Sequence, residues 1–386
     1  MAGQLKILYI APERLDNLSW QEYVRQMRIS MVVIDEAHCI STWGHDFRRH
    51  YSRIVHLLEA FPANTPVLAL TATANQRVEQ DILQQIGQNT LVVRGSMRRP
   101  NLHVNVINLS EDQEKLDYLA THIPTWLGSG IIYTGTRNST EMIALFLQQQ
   151  GINAEYYHAG RGDVERQEIE RGLMANQYKV VCSTNALGMG IDKPDIRFVV
   201  HYHIPSSPIH YYQEIGRAGR DGDIARCILL YDPKDLAIQQ NFIQQAKPSK
   251  KNYETTLSLI RTNAQGWTMN NLLLNTGFSK NAMQNILIDL EEQGLITRIK
   301  RGSGSSIYIA ERLGQVDFSH YEKVRLQKQQ ELADFQGYAQ TKHCYMGYLT
   351  AYLGDPPEYR CGTCGHCQPE NFLTIQPSEA TIKATA

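Results

Sequence analysis

Two adjacent carboxylates follow an apolar run near the start of the chain. Met31-Val32-Val33-Ile34 leads directly into Asp35 and Glu36. A hydrophobic strand that ends in two acids places them at the carboxyl edge of a parallel sheet, where α/β proteins bind ligands. Asp35 suits Mg²⁺, and Glu36 suits the orientation and deprotonation of a water that attacks a γ-phosphate. Taken alone, the pair also fits two acids that cap a helix start.

Three polar side chains in the second half of the chain suit the same chemistry. Gln213, Arg217 and Arg220 stand at positions i, i+4 and i+7, so on a helix they share one face. Two guanidinium groups on one face can reach across a cleft to a γ-phosphate and neutralise its charge. The alternative interpretation is a surface face of ion pairs.

Four of the seven cysteines lie close together near the C-terminal end: Cys344, Cys361, Cys364 and Cys367. The last three are separated by two residues each, and 16 residues lie between the first and the second. Four thiolates in this arrangement suit tetrahedral Zn²⁺ in a closed structural site. Reduced cysteines in a loop are the alternative, and His343 and His366 are weaker substitute ligands.

The composition limits the class of protein. The chain has 386 residues, 42% of them hydrophobic, which is enough for several domains. A formal net charge of −1 gives no global basic field, so a DNA site must come from local patches. We expect no membrane span, because no apolar run reaches the length that a span needs. The scattered remaining cysteines and the lack of a secretory signal favour the reducing cytoplasm.

Short apolar runs alternate with helical stretches through the first 230 or so residues. Rich in β-branched residues, they predict parallel strands of an α/β fold at 7–10, 31–34, 67–70, 130–133, 179–182, 198–201 and 227–231. The pattern breaks near Arg98-Arg99-Pro100-Asn101. We therefore predict a first lobe at 1–99 and a second lobe at 100–246.

The pattern of apolar residues in the sequence changes after residue 246. Helical periodicity over 254–263, 269–275 and 281–293, followed by two short strands, predicts a winged helix at 247–315. Between Lys247 and Arg312 there are nine basic and five acidic residues. The resulting local charge of +4 favours binding to DNA. A module that only braces its neighbours is the alternative. The cysteines then define a zinc-binding module at 316–370, and the polar segment 371–386 predicts a disordered tail.

Six segments resemble motifs of the RecQ family of DNA helicases. They are 8–15, 35–48 with motif II and an aromatic-rich loop, 70–74 with motif III, 131–134 with motif IV, 181–194 with motif V and 212–222 with motif VI. The resemblance extends over residues 5 to 235, and the run Trp43-Gly44-His45-Asp46-Phe47-Arg48 is specific to that family among related helicases. The cysteine spacing also resembles the family's zinc module.

The resemblance implies an ATP-dependent 3′-to-5′ DNA helicase with two RecA-like lobes, acting in DNA repair or recombination. ATP with Mg²⁺ and structural Zn²⁺ are the implied cofactors, and single-stranded and duplex DNA are the implied partners. It makes Arg220 the better arginine finger with Arg217 beside it, and it puts Asp192 near the ribose or the finger. The oligomeric state is open, with a monomer as the working expectation.

The resemblance also implies DNA contacts. Aromatic faces stack on bases and arginine pairs with phosphate, which suits the loop residues Trp43, His45, Phe47 and Arg48. In the family this loop couples single-strand binding to hydrolysis, although Trp43 alone also fits a core position. Thr184 and Asn185 end a strand and suit hydrogen bonds to the DNA backbone.

The chain also departs from the family pattern. No Gly-x-x-x-x-Gly-Lys-Ser/Thr string, the phosphate-binding loop, occurs in the 386 residues. We therefore expect a fragment whose first lobe is incomplete and exposes apolar strand faces. Tyr345-Met346 stands where the family has a basic pair, and the winged helix precedes the zinc cysteines. The competing hypothesis is an ATP-independent DNA-binding protein that uses the second lobe, the winged helix and the zinc module.

Overall fold

The computed structural model describes residues 6–16, 24, 27–41, 54–55, 58, 61–62, 64–87, 89–188, 191–245, 248–301, 305–311 and 314–372. The aromatic-rich loop, with its predicted DNA-binding residues Trp43, His45, Phe47 and Arg48, lies outside these residues, as does nearly all of the predicted tail. The described residues belong to two compact units, one drawn from Met1–Gln239 with Gln330–Ala386 and the other from Gln240–Gln329.

A small parallel sheet forms the centre of the first lobe. Strand β1 (Val32–Ile34) pairs with β2 (Val67–Ala69). Helix α1 (Gln76–Ile86) follows, and Asn75 begins it by accepting a hydrogen bond from the Val78 backbone N–H at 3.0 Å. A 3-10 helix, Ala37–Ile40, completes the core around buried Ile34, Ile40, Val78 and Ile82.

The other face of this sheet is apolar and exposed, as the sequence led us to expect. Val33, Leu68 and Leu70 are 55%, 44% and 44% exposed. The strand predicted at 7–10 is wrong, because these residues form no strand and Tyr9 is 91% exposed. A strand requires a neighbour to pair its backbone, and no described residue pairs with this segment.

The second lobe contains a six-stranded, all-parallel sheet in the order β3-β8-β7-β4-β6-β5. Its strands are β3 (Leu102–Asn108), β4 (Ser129–Tyr133), β5 (Ala154–Tyr157), β6 (Val180–Ser183), β7 (Ile196–His201) and β8 (Ala225–Tyr231). The four inner strands match the predicted apolar runs. The sequence did not reveal β3 and β5, because they are the edge strands and their half-solvated positions carry polar residues.

Helices connect these strands and cover the sheet, which confirms the α/β class. They are α2 (Asp112–His122), α3 (Arg137–Gln149), α4 (Asp163–Met174), α5 (Pro208–Ile215) and α6 (Leu236–Gln245). Ile132, Leu147, Phe198 and Val200 are fully buried between sheet and helices. All parallel strands end at one edge, so the segments after β4, β6 and β7 meet there.

The cysteine-rich segment packs onto the second lobe. It comprises α10 (Ser319–Ala339), α11 (Tyr345–Tyr352) and the loop that follows. The Gly365 backbone N–H donates to the Val104 carbonyl of edge strand β3 at 2.9 Å. A Cβ at position 365 would lie 1.9 Å from Asn105 Oδ1, so this approach requires glycine. The segment therefore covers an otherwise open sheet edge.

The second unit has its own core. Its elements are α7 (Lys250–Arg261), β9 (Trp267–Thr268), α8 (Met269–Thr276), α9 (Lys280–Glu292), β10 (Ile296–Arg301) and β11 (Ser305–Ala310). The antiparallel sheet has the order β10-β11-β9. Ser249, Thr268 and Ser279 cap the three helices, and Leu257, Ile286 and Leu290 are buried between them. The predicted three helices and two-stranded ribbon are thus observed, with β9 added.

Across the described residues, no helix combines the length and the apolar character that crossing a bilayer would require.

Candidate functional site

The two carboxylates lie at the carboxyl end of β1, as predicted. Asp35 is exposed, and its Oδ1 accepts a hydrogen bond from the Glu36 backbone N–H at 2.9 Å. Glu36 adopts a left-handed conformation with φ 49° and ψ 46°, which few residues other than glycine take. It precedes the 3-10 helix at Ala37, yet its side chain makes no capping hydrogen bond. The helix-capping alternative therefore does not account for Glu36.

A chain of polar contacts leads from Glu36 into the next turn of the first lobe. Glu36 Oε2 lies 3.2 Å from His38 Nδ1, and the same ring nitrogen lies 3.0 Å from Thr71 Oγ1. Thr71 Oγ1 also accepts a hydrogen bond from the Thr73 backbone N–H at 3.2 Å. His38 is 2% exposed and the Glu36 side chain is 40% exposed, so the chain leads from a solvent-accessible carboxylate to a buried ring. The acid turn after β1 and the threonine turn after β2 are thereby joined.

The same chain extends to the second lobe. Gln213, on helix α5, donates from Nε2 to Thr73 Oγ1 at 2.8 Å. The two residues are 140 positions apart in sequence, so only the tertiary structure brings them together. The hydrogen bond therefore joins the threonine turn of the first lobe to the helix that precedes the candidate arginine fingers.

The prediction that Gln213, Arg217 and Arg220 share one helix face is wrong. Helix α5 ends at Ile215, and the two arginines lie in the turns that follow. Gly219 has φ +57°, and a Cβ there would lie 2.5 Å from Asn101 Nδ2. This φ lies outside the right-handed helical region, and the close approach of Asn101 leaves room only for glycine.

The two arginines instead face the segment after β6. Arg220 Nη1 lies 2.7 Å from Asp192 Oδ1, with both side chains more than a third exposed. Arg217 lies close to Gly188, because a Cβ added to that glycine would be 3.5 Å from Arg217 Nη2. The Tyr133 hydroxyl supports this segment by donating to the Leu187 carbonyl at 2.9 Å. Burial raises the pKa of Tyr133 well above its usual value, which keeps the phenol protonated as a donor.

The predicted DNA-contacting pair lies in the turn after β6. Asn185 is exposed, and Thr184 Oγ1 accepts a hydrogen bond from the Ala186 backbone N–H at 3.3 Å. Their place at a strand end agrees with the prediction.

Several residues of the contact network were not selected from the sequence as site residues. His38, Thr71, Thr73 and Tyr133 all lie within segments that resemble family motifs. Their contacts with each other and with Gln213 need the folded chain, because ordinary threonines and tyrosines give no distinct signal in sequence. Their position directly after strand ends was the available clue.

The four cysteines of the C-terminal segment converge. Their sulfur atoms all lie within 4.8 Å of one another, and the Cys344 and Cys364 sulfurs are 3.8 Å apart. Tetrahedral zinc with Zn–S bonds of about 2.3 Å requires sulfur separations of about 3.8 Å. Backbone N–H groups of Gly347 and Cys361 both point at Cys344 Sγ at 3.2 Å. These donors stabilise a thiolate, so the residues present fit a structural zinc ion.

The thiols and the two nearby histidines differ in how they are engaged. Hydrogen bonding among the sulfurs lowers the pKa of Cys364 and raises the pKa of Cys344, so Cys364 is the thiol that ionises first. His366 Nε2 contacts the Thr341 carbonyl at 2.8 Å, so this ring is engaged away from the sulfurs. His343 is exposed. The four thiols, and not the histidines, are the ligand set that we expect.

Tyr345 and Met346, which replace a basic pair of the resembled family, are 5% and 0% exposed. They pack inside the protein, with the Tyr345 ring 4.4 Å from that of His366. A direct DNA contact from these two side chains is therefore disfavoured.

Comparison with known proteins defines the class. The DEAD/DEAH box helicase family matches residues 1–82, and the helicase conserved C-terminal domain matches residues 114–222. Together with the sheet topology and the joined motif segments, these matches define a two-lobed helicase motor. The relatives then specify the branch, and the chain belongs to the RecQ family of helicases.

Three relatives illustrate the match. The ATP-dependent DNA helicase RecQ of Pasteurella multocida is 37% identical over 332 residues, which cover 83% of this chain and 51% of the relative. The probable ATP-dependent DNA helicase RecS of Bacillus subtilis is 41% identical over 62% of this chain and 48% of that protein. The RecQ-like DNA helicase BLM of Xenopus laevis is 40% identical over 65% of this chain and 19% of that protein. The chain spans about half the length of the bacterial relatives.

The metal site can be tested by counting zinc and thiols. We expect one zinc per chain. Its removal should loosen the cysteine-rich segment and make the four thiols reactive, whereas Cys39, Cys182 and Cys227 stay buried in the two lobes. Cys361→Ser should lose the metal and destabilise the chain, since zinc affinity is part of the folding free energy. The matched control Cys39→Ala should retain one zinc. A wild-type chain without bound metal after expression in zinc-replete medium contradicts the prediction.

The contact between the lobes can be tested by a double-mutant cycle. Gln213→Met and Thr73→Val keep the side-chain size but remove the hydrogen bond. We expect a coupling of about 0.5–1.5 kcal/mol in the free energy of unfolding measured in urea. As the control pair, Gln213→Met with Thr90→Val should be additive, because Thr90 bonds only the nearby Gly87 carbonyl among the contacts observed. Additivity of the Gln213 and Thr73 changes argues against the contact.

Proposed function

We propose that the protein is the ATP-dependent motor of a RecQ-type helicase that translocates 3′ to 5′ on single-stranded DNA and unwinds duplexes in DNA repair or recombination. The observation that carries the proposal is the contact chain from Glu36 through Thr73 to Gln213. Such a chain links the residues around the γ-phosphate to the segment that carries the arginines. We expect the protein in the cytoplasm, where ATP is available and thiols stay reduced.

Each residue has a role in hydrolysis that its position allows. The exposed Asp35 carboxylate would hold Mg²⁺ beside the phosphates. Glu36 would orient the attacking water and accept its proton. Arg217 and Arg220 would neutralise the charge that develops on the γ-phosphate. Arg220 is paired with the exposed Asp192, and we propose that it exchanges this carboxylate for phosphate when nucleotide binds.

Hydrolysis needs a phosphate-binding loop that the 386 residues do not contain. We propose that the loop belongs to a further segment whose strands pair with the edges of the first-lobe sheet and whose helices cover its exposed face. Val33, Leu68 and Leu70 support this, because an apolar sheet face of this kind is normally buried. Covering it would also bring a loop to the same sheet edge as Asp35.

DNA contacts are proposed at two places in the motor. In the aromatic-rich loop, Trp43 and Phe47 would stack on bases while His45 and Arg48 contact the backbone. In the second lobe, Thr184 and Asn185 would donate hydrogen bonds to phosphates, which hold the strand irrespective of sequence. Together they would couple the grip on single-stranded DNA to the nucleotide state.

The nucleotide half of the proposal is tested by ATP turnover. The chain alone should hydrolyse no ATP, whereas a fusion that supplies the first-lobe phosphate-binding segment of the Pasteurella multocida relative should show turnover stimulated by single-stranded DNA. Glu36→Gln in the fusion should reduce turnover by about 10²–10⁴-fold, because the general base is lost. Glu168→Gln on the exposed side of α4 is the matched control.

Turnover by the chain alone contradicts the need for the loop, and a fusion that is insensitive to Glu36→Gln contradicts the role of Glu36. An inactive fusion that still binds DNA favours the second candidate function. In that case the protein would be an ATP-independent DNA binder built on the second lobe, the second unit and the zinc module.

A DNA-binding role for the second unit is part of both candidate functions. We propose that it is a winged helix, since a helix, a short strand, two helices and a hairpin follow one another and β9 pairs with β11. Helix α9 exposes Lys280, Asn281, Gln284 and Asn285 on one side. Amide and amine groups of this kind hydrogen-bond base edges and phosphates in the major groove. Arg298 of the hairpin is also exposed and suits a phosphate.

Salt dependence of duplex binding tests this surface. Lys280→Gln and Arg298→Gln should each weaken binding and reduce the slope of log K against log salt by about 1, because each removes one phosphate contact. Lys323→Gln on α10 is the control. It removes the same charge at another exposed position and should leave the slope unchanged. Equal slopes for all the variants and wild type would eliminate this surface as the duplex site. ATP should not affect the result.

A further inference from the structure

The segment between the two lobes is held by the cysteine-rich segment. Residues 94–99 connect the first lobe to β3 and form neither helix nor strand. A free linker of this kind exposes its backbone and moves readily. Here it contacts the turn and loop that follow α11, which we call the bracket and define as residues 353–359.

Arg94 makes the first of these contacts. Its Nη1 donates to the Leu353 carbonyl at 2.8 Å, at the C-terminal end of α11. The same nitrogen donates to the Ala74 carbonyl at 3.1 Å, and Nη2 pairs with Glu79. A cation is favourable at a helix C-terminus, where unpaired carbonyls carry partial negative charge. One guanidinium thus joins the bracket to the turn after Thr73.

Asp355 makes the second contact. Its Oδ2 accepts hydrogen bonds from Ser96 Oγ and from the Met97 backbone N–H, both at 3.0 Å. The Asp355 backbone N–H donates to the Thr350 carbonyl at 2.9 Å, so helix α11 fixes the carboxylate. The third contact is made by Arg98, which lies over the Tyr359 ring at 4.4 Å.

The linker is tied to the arginine segment as well. The Tyr212 hydroxyl donates to the Met97 carbonyl. Arg99 Nη2 donates to the Ala218 carbonyl at 3.0 Å, directly between Arg217 and Arg220. The order of the linker therefore bears on where the two candidate fingers lie.

Two of the four thiols bound the segment that α11 and the bracket form together. Cys344 caps the start of α11, and Cys361 lies two positions after the end of the bracket. The Cys361 backbone N–H donates to Cys344 Sγ at 3.2 Å, which closes the loop at its base. A metal ion on these thiols would tie the start of α11 to the chain just beyond the bracket, because it cross-links residues that are distant in sequence.

We propose that the zinc module is a metal-dependent bracket for the interlobe linker, with Arg94 and Asp355 as its positioning residues. With the thiols joined by metal, the bracket orders residues 94–99. Without metal, the turn at 353–355 loosens and the linker is released. The proposal depends on the metal site and does not depend on ATP hydrolysis or DNA unwinding.

Limited trypsin cleavage of the full chain tests the proposal without nucleotide or DNA. Trypsin can cut after Arg94 and Arg98, whereas Pro100 protects the bond after Arg99, and mass spectrometry identifies each cut. We expect removal of zinc by a chelator to accelerate cleavage in the linker about tenfold or more in wild type, since charge-assisted hydrogen bonds hold it closed. The zinc content is measured in parallel.

Two variants separate the bracket from a general loss of structure. Asp355→Ala should retain zinc but show fast linker cleavage with or without the chelator, whereas Asp355→Asn should resemble wild type because its carboxamide oxygen still accepts hydrogen bonds. Arg94→Lys keeps the cleavage site but cannot span the same three acceptors, so it should also be cut fast in the zinc-loaded state. Asp163→Ala on α4 is the control and should behave as wild type.

If removal of zinc does not change the rate of linker cleavage in wild type, the proposal is overturned. Slow, zinc-dependent cleavage of Arg94→Lys also overturns the proposal. Arg94 lies outside the zinc module, so this variant still tests the bracket if Asp355→Ala fails to hold metal. Failure of the proposed helicase function would instead appear as absent ATP turnover in the fusion and would leave these cleavage rates unchanged.

Discussion

The hydrogen bond from Gln213 to Thr73 is the contact on which the arrangement of the motor depends, because it joins the acid turn of the first lobe to the arginine segment of the second. A neutral hydrogen bond of this type contributes only about 1 kcal/mol. Such a contact can open and close at little cost in free energy. Behind it, His38 and Thr71 hold the turn that contains Thr73, because Thr71 Oγ1 contacts both the His38 ring and the Thr73 backbone N–H.

Stronger and more permanent contacts surround this weak one. The cysteine-rich segment covers edge strand β3 through the Gly365 hydrogen bond to Val104, and it holds the interlobe linker through Arg94 and Asp355. Rings of Phe335 and Tyr338 also lie 5.5 and 5.2 Å from that of Tyr211 on α5. The cysteine-rich segment is therefore a structural part of the second lobe, and Tyr345 and Met346 are buried within it.

The first lobe contrasts with the second. Its described sheet has two strands and exposes Val33, Leu68 and Leu70, while the inner strands of the second lobe are buried on both faces. Burial of apolar strand faces is the main favourable contribution to the stability of such sheets. The carboxylates thus lie on the less stabilised lobe, and the arginines lie on the more stabilised one. An additional layer on the exposed face would remove this difference.

The sequence by itself determined the α/β class, the inner strands, the order of the motifs and the four thiols of the metal site, because these follow from local apolar runs and short spacings. It did not reveal β3 and β5, whose edge positions lack continuous apolar runs. It also wrongly placed Gln213, Arg217 and Arg220 on one helix face, because helix α5 ends at Ile215 and Gly219 has a positive φ. The tertiary structure alone decided that Gln213 contacts Thr73 and that Arg94 contacts Leu353. Periodicity describes a residue's own element, whereas these contacts depend on how separate elements pack.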